Sequence, residues 1–367
     1  MSAEIILIIV VATALAFDFT NGFHDTANVV ATAISTRAIA PRPAVVLASL
    51  LNFAGAFISL KVAATVGKGF VDSHAINTTV VFAGLIGAIG WNVLTWYYGL
   101  PSSSSHALIG GLVGAVIASQ GFGAANGGGL LAKLIVPAII APVIAFIVGG
   151  MAILLVYRIV GRLRPGPISR GFRLGQLASS GMLALSHGTN DAQKTMGVIT
   201  LALIAHGDIS AKGFQVPSWV VIAAASAIAL GTFTGGWRII RTMGTRIIKM
   251  DPAQGFTAQG AGAAVILAAS SVGYPLSTTH VISGGIMGVG AAKKFSAVRW
   301  GVAGNIVGAW VLTLPAAATF GAITYGICNL FGSGALGPVV ITAVLVAVLG
   351  AALGLRLQRV APAPAAP

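Results

Sequence analysis

The sequence predicts an all-α integral membrane protein of about ten to twelve transmembrane helices, in two inverted-topology repeats with broken or re-entrant helices. Three observations predict it. Of 367 residues, 56% are hydrophobic and 8% are charged, against roughly 25% charged in an average soluble domain. Apolar stretches recur along the chain at lengths near the roughly 20 residues that cross a bilayer. Two pairs of polar motifs recur in the same order in the two halves.

In chain order, the spans are placed near 3–36 (one long helix, expected to be broken), 44–66, 79–98, 104–121 and 134–157. A second set follows near 176–206, 217–237, 258–275, 276–292, 300–329 and 335–356. Short segments such as 101–121 are candidates for re-entrant loops. The 49 glycines suit close helix approach and helix breaks that line a cavity. The units are a first repeat at 1–157, a short basic cytoplasmic linker at 158–175 and a second, inverted repeat at 176–330. An additional span at 331–358 and a disordered Pro/Ala-rich tail at 359–367 complete the chain. No basic residue precedes the first apolar run, which argues for a first helix that stays in place over a cleaved leader. Cys328 is the only cysteine, so no intramolecular disulfide is possible, and it reads as a small packing group.

The net charge of +14 is not that of a nucleic-acid binder, because the basic residues cluster at the ends of apolar segments. With the N-terminus outside and the C-terminus cytoplasmic, 16 lysines and arginines fall inside, including Arg37, Arg42, Arg158, Arg238, Arg246 and Arg299. Four, Lys61, Lys68, Lys133 and Lys212, fall outside, and Lys194 alone lies within a span. Trp91, Trp96, Trp219, Trp237, Trp300 and Trp310 mostly lie near span ends and read as interfacial anchors.

The repeats carry the chemistry. Thr20–Asn28 aligns without gaps on Ser186–Lys194, and Pro101–Gly111 aligns on Pro275–Gly285, at offsets of 166 and 174 residues. Five spans per copy is an odd number, so the second copy enters the membrane from the opposite side. Inverted repeats place a site near the midplane, with broken helices pointing their termini at the ligand.

Of seven acidic residues, Asp18, Asp25 and Asp191 lie within spans. A carboxylate at a helix centre costs roughly 2.5–3.5 kcal/mol on insertion scales, so each is a functional candidate. Asp18, Asn21, Asp25, Asn28 and Thr32 fall on one arc of about 80° if the helix is continuous. Carboxylate, amide and hydroxyl oxygens suit a proton or a hard cation; Asp25, Asp191, Asp18 and Asn21 are the coupling-ion candidates. The second copy offers His187, Asn190, Asp191 and Lys194 on or beside a comparable face. The clusters Ser102, Ser103, Ser104, Ser105 and Ser277, Thr278, Thr279 each follow a proline, as at the start of a half-helix, where free N–H groups bind anions. Together with Asn28, Asn190 and Lys194, they are the anion-binding candidates. His24, His106, His187 and His280 are possible accessory groups. No Cys/His metal spacing, P-loop or dinucleotide fingerprint is present, so neither a cofactor nor a resident metal is expected.

At these residues the sequence resembles the inorganic phosphate transporter (Pit) family, whose signature Gly-x-Asn-Asp-x-Ala-Asn occurs once per half. The first copy reads Gly22-Phe23-His24-Asp25-Thr26-Ala27-Asn28, and the second Gly188-Thr189-Asn190-Asp191-Ala192-Gln193-Lys194. The resemblance implies a multi-pass transporter of the bacterial plasma (inner) membrane, with Asp25 and Asp191 essential. Sodium-coupled members carry an oxygen ligand where Lys194 stands. The variant is similar to the bacterial branch that couples phosphate to protons, often as a neutral metal–phosphate complex. An ammonium one turn from Asp191 supplies the charge that a sodium ion would bring. Expected partners are inorganic phosphate, a coupling ion and the lipid bilayer, with H+ favoured over Na+ and a divalent metal as possible cargo; a homodimer is left open. A sulfate permease, a sodium-coupled phosphate symporter and an ion channel are the alternatives. A hydrolase built on Ser104, His106 and Asp25 is weaker, so no enzyme is expected.

Overall fold

Backbone polar groups in hydrocarbon must be satisfied within one segment, and the described residues form helices and no strand. The computed structural model describes residues 2–70, 76–162, 164–210, 214–332 and 334–360, with side chains omitted at 2, 165 and 352–360. Asp72, His74, Lys212, the tail 361–367 and the side chains of Arg356 and Arg359 lie outside the described residues.

The first half comprises α1 (Ser2–Ser35), α2 (Pro41–Gly55), α3 (Lys61–Gly69), α4 (Thr78–Tyr98), α5 (Ser104–Gln120), α6 (Gly127–Leu130) and α7 (Val136–Val160). The second comprises α8 (Pro165–His206), α9 (Ser218–Thr234), α10 (Trp237–Arg241), α11 (Pro252–Ser271), α12 (Thr278–Lys293) and α13 (Trp300–Leu330), followed by α14 (Leu336–Val360). Among the described residues, four helical stretches are long and apolar enough to cross a membrane: Ala3–Ser35, Thr78–Tyr98, Gly127–Val160 and Trp300–Leu330. A fifth forms if α9 is joined to Trp237–Arg246, across a bend of 59°. The remaining segments are shorter or more polar, and the stretch expected as one span at 44–66 is divided into α2 and α3.

Two sequence expectations are corrected. The first helix was expected to break, yet α1 runs 34 residues without interruption, and α8 carries the second Asp motif through a 42-residue helix. Neither motif contains a proline, so nothing removes a bond from the i→i−4 ladder. The threonines also return their hydroxyls to their own helix, Thr26 to Gly22 O at 2.6 Å and Thr189 to Leu185 O at 2.7 Å. Residues 165–175, expected as linker, form the first turns of α8, where Pro165 sits at the helix start and prolines are tolerated. The breaks fall instead at Gly99–Ser103 and Val272–Ser277, just before α5 and α12.

Packing is reciprocal between the halves. Helix α13 packs on α4 and α5, while α7 packs on α11 and α12; α1 packs on α9, and α8 on α2. A side chain at Gly22 would enter the α9 backbone at Ile228–Thr232, and one at Gly188 would enter the α2 backbone at Asn52. Both motif helices therefore reach the opposite half in backbone contact, as small-residue crossings in membranes do. This brings the two aspartate motifs toward one centre.

Candidate anion and coupling-ion site

The offset of 174 residues that aligns the Pro-Ser/Thr motifs also maps the start of α4 onto that of α11 and the start of α5 onto that of α12. Ser103 caps α5 by accepting from His106 N at 3.2 Å, and Ser277 caps α12 by accepting from His280 N at 3.3 Å. The two helix N-termini meet: the His106 and His280 rings lie edge to face at 4.7 Å, and Ser105 Oγ donates to Leu276 O at 3.3 Å.

Both aspartates reach this junction. His24 Nδ1 donates to Asp25 Oδ1 at 2.7 Å, and Ser104 Oγ lies 3.3 Å from the same oxygen. Thr279 Oγ1 approaches Asp25 Oδ1 at 3.4 Å. The Thr278 hydroxyl lies between the two copies, 3.4 Å from Asp25 Oδ2 and 3.2 Å from Asp191 Oδ2. Asn28 Nδ2 donates to Thr278 Oγ1 and Thr279 Oγ1 at 3.1 and 2.9 Å.

Lys194 completes the centre. Its ammonium pairs with Asp191 Oδ1 and donates to Ser105 Oγ at 2.5 Å and to Leu276 O at 2.8 Å. One side chain on α8 thus holds the start of α5, the turn before α12 and the carboxylate of its own helix. His187 Nε2 stands 3.1 Å from Asp191 Oδ2 without the alignment of a hydrogen bond, and its Nδ1 contacts Asn52 Oδ1 at 3.2 Å. Asp25, Asp191, Lys194, His24 and His187 are all at most 2% exposed. One ligand atom each from Asp25, His187 and Asp191 falls within 4.8 Å of the others, a buried acid–acid–imidazole set that could hold a divalent cation.

Asp18 lies about two turns before Asp25 on α1, wholly buried, and neither of its oxygens has a hydrogen-bond partner. Asn21 Oδ1 and Thr195 Oγ1 are likewise unpartnered. Buried polar groups without partners are costly, and these oxygens could be satisfied by a proton or a small cation. The buried centre thus gathers three carboxyl groups, Asp18, Asp25 and Asp191, and the ammonium of Lys194.

The remaining candidates divide. Ser102 faces Thr95 and His24, at 2.8 Å from Thr95 Oγ1 and 3.3 Å from His24 Nε2. Asn190 turns away from the junction; its amide donates to Ser270 Oγ at 2.8 Å and Tyr274 O at 3.3 Å, tying α8 to the end of α11. His280 Nδ1 donates to Ala138 O at 3.2 Å.

Trp310, read from sequence as an interfacial anchor, stacks on His280 at 4.0 Å and donates to Pro101 O at 3.1 Å. Thr95 and Trp310 are site neighbours that sequence reasoning missed. Nothing in their local sequence separates Thr95 from a packing residue, and only the reciprocal placement of α13 brings Trp310 to the junction. Trp219, Trp237 and Trp300 remain substantially exposed, as interfacial anchors would be.

A buried acid and lysine centre between two half-helix N-termini, within a bundle of apolar helices, belongs to membrane transport. A profile described as the phosphate transporter family matches residues 21–321. The chain belongs to that family and is a transporter, not an enzyme. It is 52% identical over 327 residues to a probable low-affinity inorganic phosphate transporter of Mycobacterium tuberculosis (strain CDC 1551 / Oshkosh), covering 89% of this chain and 78% of the relative. Proteins of the same description from Rhizobium meliloti (strain 1021) and Bacillus subtilis (strain 168) are 50% and 46% identical; 87% and 89% of this chain and 96% and 98% of those proteins are covered. A solved structure described as "The sodium-dependent phosphate transporter" superposes with a TM-score of 0.77 at 25% identity, covering 89% of this chain and 99% of that one.

Proposed function

We propose that the chain imports inorganic phosphate by proton symport through alternating access, with the anion bound where the N-termini of α5 and α12 meet. The observation that carries the reading is Lys194, whose ammonium joins Asp191, Ser105 and Leu276 O within a buried site that otherwise holds only carboxylate charge. In the bound state phosphate displaces part of this network, accepting from Lys194, from the Ser104, Ser105, Thr278 and Thr279 hydroxyls and from free N–H groups at both helix starts. Three carboxylates against one ammonium would repel a lone phosphate, so the cycle carries positive charge inward. Asp25 and the unpartnered Asp18 are the proton carriers in this reading. A divalent cation on Asp25, His187 and Asp191 would travel as cargo with the phosphate.

The two halves act as inverted repeats in the bacterial plasma membrane, with the N-terminus outside and the C-terminus in the cytoplasm. The arginines at one end of the bundle support that orientation: Arg238 contacts Tyr97 O, and Arg299 lies against Thr245 and Arg246. These contacts gather basic side chains at one face.

Sodium coupling is the second reading, favoured by the likeness to a solved sodium-dependent phosphate transporter. Phosphate uptake into proteoliposomes separates the two. Under an inward proton gradient without sodium, accumulation against the phosphate gradient is expected; uptake that requires sodium and ignores the pH gradient would replace proton coupling. Excess sulfate should leave phosphate uptake largely intact, and equal competition would widen the substrate to tetrahedral oxyanions.

A further inference from the structure

The two bundles differ in how the space between their packed helices is filled. Trp91 on α4 donates to Thr313 Oγ1 on α13 at 3.0 Å, and its ring lies 6.5 Å from that of Phe320. The Trp91 and Phe320 rings thus pack between α4 and α13. The 174-residue offset pairs Trp91 with Val265 on α11; the backbone contacts of Gly110 with Leu314 and of Gly284 with Pro142 pair α13 with α7 at an offset of 172, so Val148 on α7 answers to Phe320.

Where a tryptophan and a phenylalanine stand in one bundle, two valines stand in the other, and a crevice of about 580 Å³ remains between α7 and α11. Ile140, Ile144, Val148, Val265 and Ala268 line it, and among the described residues Tyr274 is the only polar side chain on its walls. It opens beside Ile139, Val143 and Ile147, which α7 turns outward to the membrane. The additional helix α14 does not cover it, packing instead on α13, α1 and α4.

One end of the crevice is cationic. The exposed Lys61 ammonium donates to Ser271 O at 2.7 Å, two residues beyond the lining Ala269, and Lys61 packs beside Gly273, next to Tyr274. An ammonium has three N–H donors, so two remain for another acceptor. Lys133, at the same end of α7, directly follows the lining Ala132. An apolar slot that opens to hydrocarbon and ends at an exposed ammonium matches a molecule with an acyl chain and a phosphate.

We propose that this crevice is a specific site for one anionic phospholipid, with one acyl chain between α7 and α11 and the headgroup phosphate on Lys61. The chain supplies the apolar packing that Trp91 and Phe320 supply in the other bundle. The headgroup gains the attraction of about 1 kcal/mol that one basic residue offers an anionic lipid at a membrane surface.

The test uses the purified full chain in detergent, stripped of lipid and titrated with phosphatidylglycerol or phosphatidylcholine under native mass spectrometry. One phosphatidylglycerol is expected to bind ahead of any phosphatidylcholine. Lys61→Gln should weaken phosphatidylglycerol about fivefold and leave phosphatidylcholine unchanged. Val265→Trp, which restores the residue of the other copy, should remove the tight lipid while phosphate uptake in proteoliposomes confirms a folded protein. Equal binding of both lipids, or retention of the tight lipid in a folded Val265→Trp protein, would overturn the proposal. So would a Val265→Trp change from dimer to monomer with lipid binding unaltered, which would make the crevice an interface between copies. Because Lys61 is exposed, its substitution remains informative even if Val265→Trp fails to fold.

Discussion

At the residue scale, the two copies of one motif have diverged into different electrostatic roles. Asp25 is held by hydrogen-bonding groups from three helices, His24, Ser104, Thr278 and Thr279. Asp191 is held by a cation on its own helix. Removing one member of a buried ion pair leaves the other charge uncompensated, at a cost of about 3–5 kcal/mol. Lys194→Ala should therefore lower both the thermal stability of the purified protein and its phosphate uptake, the latter at least about tenfold. Lys194→Asn, compared with and without sodium, should show residual uptake that rises with sodium; uptake indifferent to sodium would deny that the ammonium stands in for that ion. Asp25→Asn keeps the size and can still accept bonds from Ser104 and Thr279, so it should fold normally yet lose proton-driven accumulation. Counterflow of labelled phosphate in the same vesicles shows whether the binding step survives. Asn190, although part of the motif, points at Ser270 and Tyr274 O. Asn190→Ala should cost about 1 kcal/mol of stability while shifting the KM for phosphate less than about twofold, and a large KM change would return Asn190 to the substrate.

At the element scale, the structure depends on backbone-to-backbone crossings between motif helices and the opposite half. Gly22 meets α9 at Ile228–Thr232, and Gly188 meets α2 at Asn52, both where any side chain would collide with main chain. Gly188→Val must push α8 away from α2, displacing Asp191 and Lys194 with it. Overpacking costs typically 1–3 kcal/mol, and here the displaced groups are those that gather the site. The expected outcome is a strongly reduced yield of monodisperse protein in detergent and no uptake; normal yield and uptake would show that the helices do not need this separation. Trp310 belongs to this scale as well. Trp310→Phe should keep the stack on His280 and most of the uptake, whereas Trp310→Ala should lower the maximal rate several-fold, since it loses the stack and the bond to Pro101 O.

At the scale of the whole molecule, two reciprocal exchanges explain how a duplicated chain makes one site. Each half contributes its last long helix to the bundle of the other: α7 joins α11 and α12, and α13 joins α4 and α5. The bundles meet through Ser105–Leu276 and the His106, His280 and Trp310 rings. The proposed orientation is checked in a Cys328→Ala background. A cysteine at position 246 should react with a membrane-impermeant maleimide only from the cytoplasmic side, and one at position 61 only from outside. The reverse pattern would invert the topology.

Much of this was legible from sequence because membrane solvation constrains composition strongly. Charge depletion and apolar length determined the membrane class, and the paired motifs determined the duplication and the buried aspartates, hydroxyls and Lys194. Those readings rest on free energies local to a segment: the cost of a charge in hydrocarbon, the preference of Pro, Ser and Thr for a helix start, and the need for backbone bonds within the helix. What sequence misplaced depends on which elements face each other. The first helix was expected to break, but the polar groups of α1 found partners on α5 and α12 with the helix intact. Asn190 was placed with the anion, and its amide nitrogen donates to Ser270 and Tyr274 O at the end of α11; Trp310 was read as a surface anchor and stacks on His280 at the centre. Helix identity and the inventory of buried chemistry were thus determined by the sequence alone. The meeting of Asp25, Asp191, Lys194 and the two half-helix ends was decided only by the tertiary structure, because that geometry is set by contacts between residues far apart in the chain.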